Sequence, residues 1–263
     1  MKVHIEVLYT NIQKDITPIY NYLVLCGYCP DFVLSEDEKE KLILYRHAKH
    51  ILFIHPQKKV IIEIHWKITD ALKSFYSDFD FIYGQLTTNQ VFMNREFRVL
   101  NKEYDLLYLL VHGSEHKWQR LKWLLDINDY IRNIPIDGLQ INTLAQKHGI
   151  SGLLALYNSL SKIYFPEPKL FETKLKVSRF LLRICIEHIE ANEVVLTGRH
   201  IFHSLNLYIY SLLLFPDFGN RMAFLKNNLL SFSDSKDIKT ANPLLLMLYR
   251  PFGYFYRHRP GNY

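Results

Sequence analysis

Cysteine is scarce. Cys26, Cys29 and Cys185 are the three in 263 residues, too few to staple a chain of this length, so a reducing compartment, the cytoplasm, is expected. Long apolar runs are lacking as well: the longest, from Leu207 to Phe215, falls well short of the roughly 20 residues a helix needs to span a bilayer. The opening MKVHIEVLY alternates charged and β-branched residues without the apolar centre of a secretory signal, which leaves neither export nor a transmembrane segment as the expectation. Glycine, at 10 residues, is too thin for glycine-rich phosphate loops, and neither a P-loop nor a serine-nucleophile motif occurs. The spacing Cys26-Gly-Tyr-Cys29 looks like a redox pair. Such pairs open a helix, however, and this one follows a helical pattern with Gly27 placed as its C-cap.

The rest is an ordinary globular composition, 49% hydrophobic and 14% aromatic, which supports a sizeable core and one or two domains. A formal net charge of +6 suits a polyanionic ligand such as a nucleotide, an RNA or an anionic membrane surface; it equally suits a merely soluble basic protein.

In chain order, Val3, Ile5 and Val7 alternate with His4 and Glu6, the period of a strand with His4 and Glu6 on one face. A helical pattern runs from about 15 to 26 with Thr17 and Pro18 near its start, and a polar, acidic loop occupies 35–41. Strand patterns at 51–55 and 60–66 flank Pro56-Gln-Lys-Lys59, which reads as a hairpin. On the second, Glu63 and His65 share a face and Ile62 and Ile64 the other. Residues 67–100 are mixed, with a short helix near 70–76 at most. Asn101 is placed as an N-cap, and further helices are expected at 139–147, 151–164, 171–191, 199–214, 221–230 and 241–249. The fold class is therefore α+β, with a small mixed sheet over 1–100 packed on a helical region over 101–263.

The stretch from Tyr104 to Ile131 is the most unusual. Read as one helix, it places His112, Glu115, His116, Gln119, Lys122 and Asp126 on one narrow sector of an otherwise apolar cylinder. A polar stripe on an interior helix must face a cleft, a polar element or a ligand. His65 on the sheet is a candidate partner for it.

Several of these segments together, HIEVLYTNIQKDITPIYNYLVLCGY, VIIEIHW, LLYLLVHGSEHKWQRLKWLLDINDYI and a short helix ending AQKHG, resemble the uncharacterised nucleotidyltransferase family of the polymerase-beta-like superfamily, from about residue 4 to 150. The resemblance implies transfer of a nucleoside monophosphate from a nucleoside triphosphate to an acceptor hydroxyl. Glu6 and Glu63 would hold Mg²⁺, and His65, His112, His116, Lys122 and Asp126 would lie on the substrate side. His4 and Glu6 stand where the family's D-x-D strand carries its aspartates. The family's glycine-rich segment and phosphate-binding helix precede that strand, so the resemblance implies an incomplete core and a partner protein supplying the missing segment. A degenerate, inactive member serving as a binding or scaffold subunit is the non-enzymatic alternative.

Other constellations compete. His112-Gly-Ser-Glu115-His116 matches the inverted zinc-peptidase pattern, two histidines for Zn²⁺ and a glutamate as base, with Glu187 or Glu190 as a third ligand; the plainer reading is a buried polar network. His47, His50 and His55 read as surface residues. The interleaved aromatics and cations of 249–259 fit a nucleic-acid or membrane-surface patch, or a terminal segment docked on its own core.

Overall fold

The computed structural model describes residues 3–8, 12–34, 37, 48–67, 69, 87–92, 94–168, 171–191, 209–210, 212–215, 217–222, 238, 242, 244–246 and 248–249; for 3–8, 12–15 and most of 87–97 this is the backbone alone. The fold is α+β. The chain divides into two compact units, 1–70 with 226–263 and 71–225. No helix among the described residues is long and apolar enough to cross a membrane.

The first unit is built on a four-stranded sheet in the order β1-β4-β3-β2. Its strands are β1 (Val3–Leu8), β2 (Cys29–Pro30), β3 (His50–His55) and β4 (Val60–His65), and α1 (Ile12–Leu25) lies between the first two in sequence. β4 pairs parallel with β1 and antiparallel with β3, which in turn pairs antiparallel with β2. The turn at 56–59 closes the β3–β4 hairpin with Lys59 at φ 54°. α1 begins earlier than the sequence pattern suggests, so Pro18 lies inside it rather than at its start.

The helix stops where Gly27 takes φ 85°. Tyr28 N–H donates to Leu23 O and Gly27 N–H to Val24 O, both at 3.0 Å, the paired bonds of a Schellman ending. That turn delivers the chain straight into β2. Ile16 and Leu23 of α1 are buried with Ile51, Phe53 and Ile64 of the sheet in one apolar cluster, with Tyr20 set edge-on to Phe53 at 5.5 Å between ring centres. Strand alternation therefore commits the Ile51 and Phe53 face to this core and leaves the face of His50, Leu52, Glu63 and His65 for something else.

The second unit contains a hairpin, β5 (Thr87–Phe92) with β6 (Arg95–Leu100), and helices α2 (Lys102–Glu115), α3 (Leu121–Asn133), α4 (Gly138–Lys147), α5 (Ser151–Tyr164) and α6 (Arg179–Glu190). Asn101 caps α2, its Oδ1 accepting from Tyr104 N–H at 3.0 Å. Helix α5 packs against α2, α3, α4 and α6. The helix expected from 171 begins at 179 instead. Asn158 holds Phe171 extended through two bonds, donating to its carbonyl at 2.7 Å and accepting from its N–H at 2.9 Å, and Ser178 then caps α6.

The largest departure from expectation falls in the Tyr104–Ile131 stretch, which is two helices and not one. Lys117 and Trp118 take φ 54° and 59°, the left-handed region, and reverse the chain between α2 and α3. Tyr130 O–H donates to Lys102 O at 3.2 Å, so the far end of α3 returns to the start of α2. The strain of two non-glycine residues there is offset by burial of the whole Trp118 side chain, 0% exposed. Its ring lies against Gly113, where a Cβ would come within 2.6 Å of Trp118 Cζ3. The expected helix at 70–76 and the aromatic-cationic segment beyond Tyr249 lie outside the described residues.

Candidate functional site

Glu6 and Glu63 are direct partners in the parallel β1–β4 ladder and so stand at one level on one face of the sheet. Glu63 continues that level into β3, where it opposes Leu52, and Asp31 at the end of β2 accepts from Leu52 N–H at 3.1 Å. Three acidic residues thus lie along one row across the sheet. Burial raises the Asp31 carboxyl above its usual range, and the charge of Glu63 adds to the rise, while the N–H groups of Leu52, Asp31 and Phe32 pull the other way.

His65, two residues after Glu63 on the same face, brings its Nε2 to 2.9 Å from Glu63 Oε2. The side chains are 6% and 15% exposed respectively, which makes this a largely dry polar contact. On the other side of His65, Nδ1 lies 3.4 Å from Lys67 O. His50 opposes His65 in the β3–β4 ladder, with ring centres 4.7 Å apart and planes tilted by 38°. One ligand atom from each of His50, Glu63 and His65 falls within 4.8 Å of the others, and among the described residues this is the group of three or more metal-binding side chains that forms.

This corrects the reading of His50 and His55 as surface residues. His50 is half-buried within the donor cluster, and His55 is buried at 6% exposure on the core face, edge-on to Tyr28 at 5.0 Å. His47 lies outside the described residues. A signal for His50 was present in the hairpin: once His55 pairs with Val60 across the turn, alternation places position 50 opposite 65.

In the second unit the predicted stripe is divided by the chain reversal. His112 and His116 stay together, ring centres 4.8 Å apart, and both meet Trp123 of α3, at 5.4 and 4.9 Å. Arg120 lies over the far partner of this cluster, 5.8 Å from the Trp123 ring centre. Lys122 and Asp126 instead pair with each other at 3.1 Å on α3, with side chains 75% and 39% exposed. Of the acids considered as third zinc ligands, Glu187 pairs with Arg183 at 3.5 Å and Glu190 accepts from Tyr164 O–H at 3.2 Å. Neither joins His112 and His116 in a donor cluster among the described residues. Lys117, in the reversal, has its ammonium pKa lowered by burial.

Glu6 and Glu63 are the acids that the β1–β4 register sets side by side, and Mg²⁺ takes oxygen ligands, imidazole nitrogens being poor ligands for it. Comparison with known proteins matches residues 13–166 to the model of a family described as uncharacterised nucleotidyltransferase. No curated protein and no solved structure matches the chain.

Proposed function

Because the chain belongs to that uncharacterised nucleotidyltransferase family, we propose that it binds a nucleoside triphosphate and moves the nucleoside monophosphate to an acceptor hydroxyl. The acceptor hydroxyl gives up its proton to water, its oxygen bonds to the α-phosphorus, the bond from that phosphorus to the bridging oxygen breaks, and pyrophosphate leaves with that electron pair. The observation that carries this reading is the pairing of Glu6 with Glu63 across the parallel ladder, which sets two acids at one level on neighbouring strands. These two would hold Mg²⁺, which when bound neutralises charge on the phosphates. Glu63 is kept in place by His65 Nε2 at 2.9 Å, so its carboxylate is oriented before substrate arrives. A substrate-side role for His65 belongs to the same proposal. The free thiols of Cys26, Cys29 and Cys185 agree with a cytoplasmic location.

The test is transfer of label from each of the four nucleoside triphosphates in the presence of Mg²⁺, with calorimetry for binding. Glu63→Gln and Glu6→Gln are each expected to lower turnover by about 100-fold or more, the usual loss when one electrostatic element of a transition-state site is removed. Full activity in either variant, or no triphosphate bound by the unaltered chain, would overturn the reading. Binding without transfer is the outcome of the alternative, a non-catalytic binding or scaffold subunit.

A further inference from the structure

The donor atoms around His65 are of the wrong kind for magnesium alone. Mg²⁺ takes oxygen ligands and keeps its waters, while two imidazoles with one carboxylate suit the borderline ions of the late first transition row. From the cluster His50–Glu63–His65 we propose a Zn²⁺ site with three protein ligands and a fourth position open to water or a phosphate oxygen.

Four observations support it. Strand geometry brings the ligands together without any loop: His50 and His65 are opposed in an antiparallel pair, and Glu63 is the next residue on the same face of β4. The donor atoms lie within 4.8 Å of one another, so side-chain movements of about 1–2 Å bring them to the ligand distances of one zinc ion. His65 also has the outer contact common among metal-bound histidines, its Nδ1 facing the carbonyl of Lys67 at 3.4 Å. That arrangement fixes the ring and aims Nε2, the nitrogen now against Glu63, at the ion. The low exposure of Glu63 and His65 strengthens attraction for a cation there.

Zinc binding goes beyond the transferase reading and does not need a nucleotide. A chain that takes up zinc but transfers nothing refutes only the transferase, and one that transfers but ignores zinc refutes only this site. The experiment uses the full chain stripped by a chelator and titrated with Zn²⁺ and, separately, Mg²⁺, without nucleotide. Cys26 and Cys29 are exposed and would compete for zinc, so the titration is run in a Cys26→Ser, Cys29→Ser background.

One zinc per chain is expected, held more tightly than magnesium. His50→Ala and His65→Ala should each weaken it by about 10- to 100-fold or more, since even changes to outer contacts of metal sites cost that much. Should a variant fail to fold, X-ray absorption of the zinc-loaded unaltered protein decides, through imidazole scattering from two histidines. Affinity unchanged in a folded histidine variant, magnesium bound as tightly as zinc, or a zinc shell without imidazole would overturn the proposal.

Discussion

Trp118→Ala is expected to destabilise the protein by about 3–5 kcal/mol, the range for deleting a buried aromatic side chain. The indole is 0% exposed and sits at the chain reversal between α2 and α3, so its removal both opens a cavity and withdraws what offsets two left-handed backbone residues. Urea unfolding followed by circular dichroism measures the loss. A companion variant makes the argument specific to one contact. Gly113→Ala places a methyl 2.6 to 2.9 Å from three atoms of the ring, and overpacking of that kind costs about 1–3 kcal/mol. Once the ring is gone the methyl has space, so the double variant should be more stable than the sum of the single losses predicts. A Trp118→Ala loss under about 1 kcal/mol, below the range for buried aromatics, would show that the reversal is held by something else.

Acid should weaken the second unit through His148. This residue is 5% exposed, its Nε2 lies 3.4 Å from Tyr104 O–H, and its carbonyl accepts from Asn220 Nδ2 at 3.0 Å. Burial, aided by the neighbouring charge of Lys147, lowers its pKa to about 4. In the unfolded chain the ring takes its proton near 6.5. Between those values the unfolded state binds more protons, so stability is complete above pH 6.5 and is lost as pH falls toward 4. The total is roughly 3 kcal/mol from the linkage relation. Burial raises the carboxyl of Asp105, which acts in the opposite direction, so the measurement is a comparison. His148→Gln should flatten the slope of unfolding free energy between pH 7 and 4 relative to the unaltered protein, and parallel slopes would refute the assignment.

Much of the first unit was legible because its signals are local. Alternation at Val3, Ile5 and Val7, the turn residues at 56–59 and Gly27 after an apolar helix each determine a structure within a few residues. Glu63 and His65 were assigned to one face by the same alternation, and they touch. The break after Glu115 was not legible. It contains neither glycine nor proline, and non-glycine residues enter the left-handed region there beside a tryptophan ring that is fully buried, and burial is a tertiary property that overrides local propensity. The β5–β6 hairpin was missed for a related reason: its turn uses Asn94 at φ 60° without the Asn-Gly pair that marks tight hairpins. His50 was missed since an isolated histidine at a strand end has no pattern of its own. Its significance comes from the residue across the ladder.

The parallel pairing of β1 with β4 has a bearing on timing. Hairpin β3–β4 closes through a tight turn, an event of about 1–10 microseconds in isolated hairpins. Strand β1 can join only by closing a loop that contains α1, β2 and β3, and such non-local pairing is slow. The two imidazoles and Glu63 therefore assemble ahead of Glu6, and pulse-labelled amide exchange should find 51–64 protected before 3–8. Of the four strands of this sheet, the first in sequence would be the last to dock, leaving an interval in which a refolding chain already holds its imidazole pair but has not yet gained Glu6.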